Sequence, residues 1–328
     1  MNRRTFFVTS TITLLVILTA VAGLAFFSDF AARAFVPDLP EALHYLPADS
    51  QAVFGMNVQK FVASPLYAQF MEKHGQEIGA DLAEFIASTG VDPRRDVKYV
   101  IGAGRAGQQK GAGVVIAVGD FNPAKITEFI KSKGTPVSAD YRGANLLVLP
   151  EGTYSSLEKG IAFLSDSEIA LGTLDSLHAV LDVRARSLPS IDENATMAGM
   201  LETLNPQEMF WFAGDAVSVL SQVPAKAPFL PALTAVRTVF GTLNLTDANA
   251  VSGKVTVTAA DETAAGQLAD FVTGLVALGN LASAQHAELA ELVKNVQITK
   301  RANQFDVALT LPYELLQKLE ASKTHLIK

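Results

Sequence analysis

A glycine-rich stretch is the first candidate for chemistry in this 328-residue chain. Residues 102–107, GAGRAG, follow an apolar run with the G-x-G-x-x-G spacing of dinucleotide-binding loops, and Asp120 lies about where a ribose-binding acid would be sought. Such a site needs a full crossover helix after the glycines. Only residues 108–112 precede the next apolar run, which is too short for that helix and fits a hairpin. We therefore predict a glycine-rich turn and no nucleotide cofactor.

A serine–lysine motif is the second candidate. Ser156-Leu-Glu-Lys159 matches the S-x-x-K pattern of penicillin-interacting enzymes. Those enzymes also need S-x-N and K-T-G elements, and the nearest counterpart here, Lys323-Thr-His325, lacks the glycine. No G-x-S-x-G elbow occurs either. The sequence does not support an acyl-serine enzyme.

Two helical stripes could hold a metal ion weakly. Their members share one helix face by spacing: His74, Glu77, Asp81 and Glu84 in one stripe, and Asp175, His178 and Asp182 in the other. Both stripes lie opposite apolar residues, where solvated charge is expected. The five histidines form no H-x-H or H-x-x-x-H pair, and the absence of cysteine excludes thiolate and iron–sulfur sites. We predict no metal site.

Carboxylates near strand ends are the remaining catalytic candidates, namely Asp49, Asp120, Asp166 and Asp215. Two carboxyl groups at about 5–9 Å could hydrolyse a glycosidic bond, but turns favour aspartate for capping reasons as well. Trp211 could stack on a sugar, although a lone tryptophan in a β-rich apolar run favours a core position. We assign no catalytic residue, and we expect a protein that is not an enzyme.

The location of the protein is indicated more clearly than its chemistry. Residues 6–27 form an uncharged apolar run, preceded by Arg3 and Arg4, and about 20 such residues span a bilayer as a helix. The basic flank predicts a single-pass protein of the bacterial inner membrane, with its N-terminus inside and the globular part in the periplasm or outside. Alternatively, cleavage after Ala34 would release a secreted protein, by either the general or the twin-arginine route.

The charge balance restricts the partners. Without residues 1–35, the chain has 23 basic and 32 acidic residues and a net charge of −9. An acidic exported part argues against nucleic acid and against electrostatic adhesion to an anionic membrane. The expected partners are the membrane, through the N-terminal helix, and an envelope protein.

The pattern of apolar residues predicts an α+β fold. An N-terminal transmembrane helix precedes two stretches, 97–149 and 239–311, that both show the order ββαββ and suggest a diverged internal duplication. The predicted division is a signal-anchor transmembrane helix at 1–35, a Pro-rich linker at 36–50, a first α+β domain at 51–190 and a second α+β domain at 191–328.

Elements outside the two repeated stretches are also predicted. They are a strand at 51–58, helices at 61–74 and 78–89, a hairpin at 161–164 and 169–172, a helix at 174–186, a strand at 208–213, a short helix at 232–237 and a final helix at 313–321. The stretch 261–281 is the most strongly helical. Its small residues, such as Ala265, Ala269 and Gly274, permit close packing or a groove for an apolar ligand.

Several short motifs resemble those of one family. They are Leu46-Pro-Ala-Asp49, the strand Val53–Asn57, Ser64-Pro-Leu-Tyr67, the turn Gly90–Asp96 and Asp120-Phe-Asn-Pro123. Together they resemble an uncharacterised family of bacterial exported or membrane-anchored proteins, with a Leu-Pro-x-Asp start and repeated α+β units. The resemblance implies fold and location, and it brings no catalytic residues.

These observations lead to three functional hypotheses. The first is a non-enzymatic, membrane-tethered envelope protein that acts as a structural or protein-interaction module. The second is an exported module that binds an apolar ligand or lipid. The third, an envelope hydrolase that uses carboxylates, has the least support.

Overall fold

The computed structural model describes residues 40–105, 112–149, 158–205, 207–216, 234–246, 250–282 and 294–315. These residues form one antiparallel sheet whose strands are β1 Ser50–Asn57, β2 Val97–Arg105, β3 Val114–Gly119, β4 Val137–Tyr141, β5 Ala144–Leu149, β6 Lys159–Ser165, β7 Glu168–Thr173, β8 Phe210–Asp215, β9 Val236–Thr246, β10 Ala250–Ala259, β11 Val296–Arg301 and β12 Gln304–Pro312. Their order in the sheet is β11-β12-β10-β9-β8-β1-β2-β3-β7-β6-β5-β4. The α+β class predicted from the sequence is therefore confirmed.

Helices cover this sheet. The α-helices are α1 Val58–Val62, α2 Pro65–Thr89, α3 Pro93–Asp96, α4 Pro123–Lys133, α5 Leu174–Arg184, α6 Ala195–Leu201 and α7 Glu262–Ala282, and two 3-10 helices lie at Glu41–Tyr45 and Ile191–Glu193. Three of the α-helices, α2, α3 and α4, begin directly after a serine, an aspartate or an asparagine that precedes a proline. Ser64, Asp92 and Asn122 each accept a hydrogen bond from a backbone N–H in the first turn, at 3.0 to 3.1 Å.

Two units of the same plan meet at the centre of the sheet. The first unit runs from β1 to β7 and the second from β8 to β12. Each unit begins with three consecutive strands that lie side by side. A crossover helix, α4 or α7, then takes the chain to the outer edge of the sheet. The strands that follow run back towards the centre, and the last of them pairs with the third strand of the unit. Strands β1 and β8 pair antiparallel with Phe54 opposite Phe212, so an approximate two-fold axis perpendicular to the sheet relates the units.

One row of residues shows this symmetry across the sheet. From the centre outwards it reads Phe54, Gly102, Val115, Leu171 and Ile161 in the first unit, and Phe212, Gly241, Val255, Val307 and Ile298 in the second. In both units the phenylalanine ring lies over the glycine. A Cβ atom at Gly102 would lie 2.2 Å from the Phe54 ring, and one at Gly241 would lie 3.0 Å from the Phe212 ring.

The sheet has two unlike faces. The crossover face, which carries Phe54 and Phe212, is covered by α1, α2 and α4 in the first unit and by α7 in the second. The opposite face, which carries Ile101 and Trp211, is covered by α5, α6 and the two 3-10 helices. The core residues of these covering elements pack on the first unit and on the central strands.

Several predicted elements differ from the structure. The helix predicted at 61–74 begins only at Pro65 and continues without a break through the helix predicted at 78–89 as α2, because Gly75 and Gly79 are tolerated in its interior at about 1 kcal/mol each. Phe61 and Val62 belong to α1 instead. The helix predicted at 232–237 is wrong, since strand β9 already begins at Val236. Part of the predicted linker packs into the core, where Ala42, Leu43 and Leu46 are fully buried beside the second 3-10 helix.

The predicted membrane span at 6–27 lies outside the described residues. Within residues 40–315 as far as they are described, no helix combines the length and apolar character that crossing a bilayer requires. The transmembrane segment therefore remains a prediction. The predicted final helix begins at Tyr313, and its residues beyond 315 also lie outside the described part.

Candidate functional site

An apolar cavity of about 50 Å³ lies between the crossover face of the first unit and the helices above it. Its floor is formed by the strand residues Val97, Val100, Ala117, Ile161, Ile169 and Leu171. Its roof and walls are formed mainly by Val58, Phe61, Val62, Phe85, Val91 and Ile126, from helices α1, α2 and α4 and the α2–α3 connection. An engineered cavity of about 150 Å³ binds benzene, so this one has room for a smaller apolar group, such as the end of an alkyl chain.

The cavity follows from local sequence. In its floor Ala117 pairs with Val100 on one side and Ile169 on the other, so a small side chain makes a dip between two larger ones. Above it, the long helix α2 has its principal contacts with α1 and α4 rather than with the strands. A gap therefore remains between the helical layer and the sheet.

Two polar side chains, Tyr67 and Arg94, reach this otherwise apolar lining. The Arg94 guanidinium is fixed by Asp92: Nε donates to Oδ1 at 2.8 Å and Nη2 donates to Oδ2 at 2.7 Å. Asp92 also caps α3, since its Oδ1 accepts from the Arg94 backbone N–H at 3.0 Å. We call Tyr67, Asp92 and Arg94 the rim.

The rim groups keep their ordinary charge states at neutral pH. The hydrogen bond from Arg94 lowers the pKa of Asp92, although burial opposes this effect. The same ion pair raises the pKa of Arg94. Burial raises the pKa of the Tyr67 hydroxyl, and the nearby Arg94 charge offsets part of the increase. The rim is therefore an ion pair beside a neutral hydroxyl that can donate or accept a hydrogen bond.

The glycines of the apparent dinucleotide motif have a different role. Gly102 and Gly104 lie in strand β2, and the chain continues into β3 as an antiparallel hairpin, as the spacing indicated. Gly102 leaves room for the Phe54 ring. Gly107 lies outside the described residues. Asp120 forms an ion pair with Lys98 at 2.9 Å.

The four candidate carboxylates are divided between the two ends of the strands. Asp49 precedes β1 and pairs with Arg105 at 2.6 Å, and Asp215 ends β8 on the same side. Asp120 follows β3 at the other side, where Phe121 donates its backbone N–H to the Asp166 carbonyl at 3.0 Å. Asp49 and Asp120 are thus held apart and paired with cations. This division does not favour a shared hydrolytic site.

The side chain of Glu77 lies outside the described part of the structure, and the described members of the two predicted stripes do not converge on a metal site. The described residues contain no group of three or more histidine, aspartate or glutamate side chains that could hold an ion. His178 stacks on Tyr141 with ring centroids 4.0 Å apart, and Asp182 accepts from Arg142 Nε at 2.8 Å. His44 pairs with Asp192 at 2.8 Å, and the same carboxylate oxygen accepts from the Ser190 hydroxyl.

The remaining candidates have structural positions or lie outside the described part. Trp211 is fully buried, covers Gly55 and donates its indole N–H to the Tyr99 hydroxyl. Burial raises the pKa of that hydroxyl. Lys159 begins strand β6, whereas Ser156 and residues 323–325 lie outside the described residues.

The small-residue helix packs closely on its sheet. Ala265 and Ala269 of α7 are buried against the second unit, together with Leu268 and Phe305. Gly274 faces open space. The cavity described above lies under the helices of the first unit and not under α7, where an apolar groove was considered from the sequence.

Sequence reasoning missed the rim. Residues 92–96, DPRRD, were interpreted as part of a turn-rich connection, although aspartate followed by proline is an N-terminal helix signal. That signal could have placed Asp92 and Arg94 on one helical turn. It could not have shown that the turn closes a cavity floored by β2, β3, β6 and β7.

Comparison with known proteins gives only distant similarity. No family model matches the chain, and no protein of curated function matches it. Among solved structures, crystal forms I, III and IV of TP0453 align with TM-scores of 0.46, 0.46 and 0.47 and sequence identities of 12%, 14% and 12%. The alignments cover 84–88% of this chain and 95–100% of TP0453.

Proposed function

We propose that this protein is an exported, membrane-tethered and non-enzymatic module of the bacterial envelope that binds an apolar ligand in the cavity of its first unit. The observation that carries the proposal is the apolar cavity with a single polar rim. Ligand sites are typically concave and apolar, with few polar groups that orient the ligand. The membrane tether is expected from residues 6–27.

The lining also favours binding over catalysis. Of the residues that line the cavity, only Tyr67 and Arg94 have polar side chains, and none is a nucleophile paired with a base. Arg94 is already bonded to Asp92 through two of its nitrogens. The cavity therefore offers apolar contact and hydrogen bonding, and it offers no acid–base pair.

The paired units support an origin by duplication. We infer that two ββαββ-type units diverged from one ancestor, because Phe54 with Gly102 and Phe212 with Gly241 make the same ring-over-glycine contact at equivalent places. After divergence, the cavity was kept or acquired in the first unit. The second unit packs its single crossover helix through alanines.

A protein-interaction role is the second candidate. It is favoured by the opposite face of the second unit, where Lys254 and Arg301 have side chains that are 50% and 68% exposed. Polar side chains on a sheet face of this kind can contact an envelope protein. The same purification experiment distinguishes the two candidates.

The test is affinity purification of the intact protein from membranes, with mass spectrometry of co-purifying lipids and proteins. We expect wild-type protein to retain an apolar molecule. The variant Ala117→Leu should lose it, because the added side chain fills the dip in the cavity floor. Ala139→Leu, the same change at an exposed position of edge strand β4, is the matched control and should retain it.

The outcomes separate the hypotheses. If wild-type and Ala117→Leu proteins carry the same lipids in the same amounts, the cavity is not the binding site and the proposal fails. An envelope protein recovered equally with both variants, without a cavity ligand, would support the interaction role instead. The same material gives the mature N-terminus, which would be Phe35 if the predicted anchor is removed.

A further inference from the structure

The two outer edges of the sheet are protected to different degrees. Strand β11, at one edge, exposes Lys300 and Arg301, and charged side chains on an edge strand discourage a further strand from pairing with it. Strand β4, at the other edge, has the sequence VSADY, without lysine, arginine or proline, and its first four residues are exposed. Val137 is 58% exposed, the highest value among the large apolar side chains of the described residues. The β4 edge is therefore open to strand addition.

The hairpin that contains β4 determines which backbone groups the edge offers. The turn residues 142 and 143 both have positive φ, 55° and 77°, as a two-residue hairpin turn requires. Tyr141, beside the turn, therefore exchanges both backbone hydrogen bonds with β5, and Ala139 does the same because bonded pairs alternate along antiparallel strands. The backbone N–H and C=O groups of Ser138 and Asp140 consequently point away from the sheet.

These outward groups match those of a second β4 strand. In an antiparallel pair with Ala139 on the two-fold axis, Ser138 of each copy lies opposite Asp140 of the other. Both pairs can exchange backbone hydrogen bonds, and the serine hydroxyl can donate to the facing carboxylate. A register with Asp140 on the axis would instead place two like charges together. In the favoured register Val137 faces Tyr141 of the second copy, which is a stabilising aromatic–β-branched pair.

The entry point of the chain is compatible with such a pair on one membrane. A two-fold axis that relates two antiparallel edge strands in this way is perpendicular to the sheet. The first 3-10 helix, Glu41–Tyr45, packs on the opposite face, where Ala42 and Leu43 are buried in the core. In both copies the chain therefore enters the described structure from the same side of the joined sheet, as two anchors in one membrane require.

We propose that edge strand β4 is a self-association surface that joins two copies of the tethered protein into one continuous sheet. The inference rests on the membrane tether of the proposed function, and it is independent of the cavity, which β4 does not line. Pairing of five-residue strands is a small contact compared with the roughly 1,200 Å² or more of stable soluble complexes. The pair therefore forms where tethering to one membrane raises the local concentration.

Cysteine cross-linking tests the register directly, because the chain contains no cysteine. Intact protein with Ala139→Cys is oxidised in membranes, and the dimer is measured on a non-reducing gel. The two Cα atoms at the axis would lie about 4.5 Å apart, which a disulfide can bridge. In Ser138→Cys they would lie about 7–8 Å apart, so we expect cross-linking to be about tenfold slower. Gln297→Cys, exposed on edge β11, measures random collision.

Charge substitutions at Ser138 give an independent measurement in protein that also carries Ala139→Cys. Ser138→Lys would place an ammonium group opposite each Asp140 carboxylate, whereas Ser138→Asp would place a second carboxylate there. Two such pairs form in each dimer, so we expect the rate of cross-linking to rise about threefold with lysine and to fall about threefold with aspartate. The position is exposed, and the fold of the single copy is retained in both variants.

The outcomes separate this inference from the proposed function. Equal cross-linking of Ala139→Cys and Gln297→Cys, or the same response to Ser138→Lys and Ser138→Asp, would overturn the β4 dimer. An adduct of Ala139→Cys with a different envelope protein, in place of the dimer, would assign the edge to another partner and would overturn it as well. The lipids retained by the same proteins report on the cavity alone, and their absence would contradict ligand binding without changing the cross-linking order.

Discussion

The two units share one backbone plan but differ on one face of the sheet. Strand pairing makes Ile116 of the first unit equivalent to Thr256 of the second, and Ala170 equivalent to Asp306. All four lie on the opposite face. On the crossover face the equivalent positions remain apolar, as in Val115 and Val255. The pairing pattern is therefore kept, while the chemistry of one face has changed.

The difference follows from what covers each unit. In the first unit α5 and α6 pack on the opposite face, and Ile116 and Ala170 are fully buried in the core that they share. Strand β3 is accordingly apolar on both faces, VVIAVG. In the second unit β10 alternates, with Lys254, Thr256 and Thr258 on the opposite face. Strands that are covered on both faces read as continuous apolar runs, whereas alternation is typical of a strand with one polar face. Thr256 and Asp306 on that polar face are themselves buried.

The same comparison explains where the cavity lies. Over the first unit the crossover face is covered by several helices that pack on one another, and these bridge a dip in the sheet at Ala117. Over the second unit one helix, α7, approaches closely through Ala265 and Ala269. Close packing through small side chains leaves less space than a bridging layer does, which agrees with the position of the described cavity under the helices of the first unit.

The largest effect is expected from substitutions at the equivalent positions Ile116 and Thr256. Ile116→Thr places a hydroxyl in the fully apolar core and removes methyl contacts, so we expect the free energy of unfolding to fall by about 3 kcal/mol. The variant Thr256→Val at the equivalent position removes one hydrogen bond to Asp306 and should lower the free energy of unfolding by only about 1 kcal/mol. Urea denaturation of both variants measures the difference.

An equal loss in the two variants would contradict the asymmetry between the opposite faces. Val115→Thr and Val255→Thr are the matched pair on the crossover face. Both positions are half-buried, and strand pairing makes them equivalent. These two variants should differ from each other by less than the first pair does.

Glycines at equivalent positions give the next largest effect. Gly241→Ala would bring a Cβ to 2.5 Å from the Lys254 carbonyl oxygen, so the backbone itself must shift, and we expect a loss of about 2 kcal/mol. Gly102→Ala meets only the Phe54 ring, which can rotate away, and should lose less. Gly253→Ala meets its nearest atom at 3.5 Å and is the control.

Thermal and urea unfolding of the three alanine variants give the order directly. If Gly102→Ala and Gly241→Ala are both as stable as Gly253→Ala, the ring-over-glycine contacts do not constrain the sheet. The equivalent positions of the two glycines would then have no measurable effect on the free energy of unfolding.

Much of this fold could be predicted from the sequence, for identifiable reasons. Short-range signals were sufficient for the hairpin β2–β3, for the cap at Asn122-Pro123, and for the order ββαββ in both units. Strand pairing across the centre was not predictable, because the paired residues Phe54 of β1 and Phe212 of β8 are 158 residues apart and neither strand carries a motif that specifies its partner. Since β1 and β8 are the strands that connect the two units, their union in one sheet could not be predicted either.

The candidate site was predictable only in part. An apolar binding module was among the hypotheses, but the groove was expected at the small-residue helix. Small residues such as Ala265 and Ala269 can either permit close packing or leave a space, and periodicity does not distinguish these outcomes. The ion pair of Asp92 and Arg94 is local in sequence. Its position over a cavity depends on strands 5 to 80 residues further along the chain.

The smallest predicted effect concerns Asp306, whose equivalent in the first unit is Ala170. Burial raises the pKa of Asp306, but the hydrogen bond from Thr256 at 2.8 Å and the nearby Lys254 and Arg301 more than offset this, so its pKa is lowered. A lowered pKa in the folded state stabilises the protein above the unfolded pKa of about 3.9, and that stabilisation is lost as pH falls through the folded value.

Asp306→Asn should therefore lower the free energy of unfolding by about 1 kcal/mol at pH 7, and the difference from wild type should shrink below about pH 4. Urea denaturation at pH 7, 5 and 3.5 measures this dependence. Ala170→Ser, at the equivalent position in the first unit, introduces no titratable group and should give a difference from wild type that is independent of pH. If the difference in the free energy of unfolding between Asp306→Asn and wild type were also independent of pH, the ionised carboxylate would not stabilise the second unit. A stabilising carboxylate must lose its effect as it is protonated.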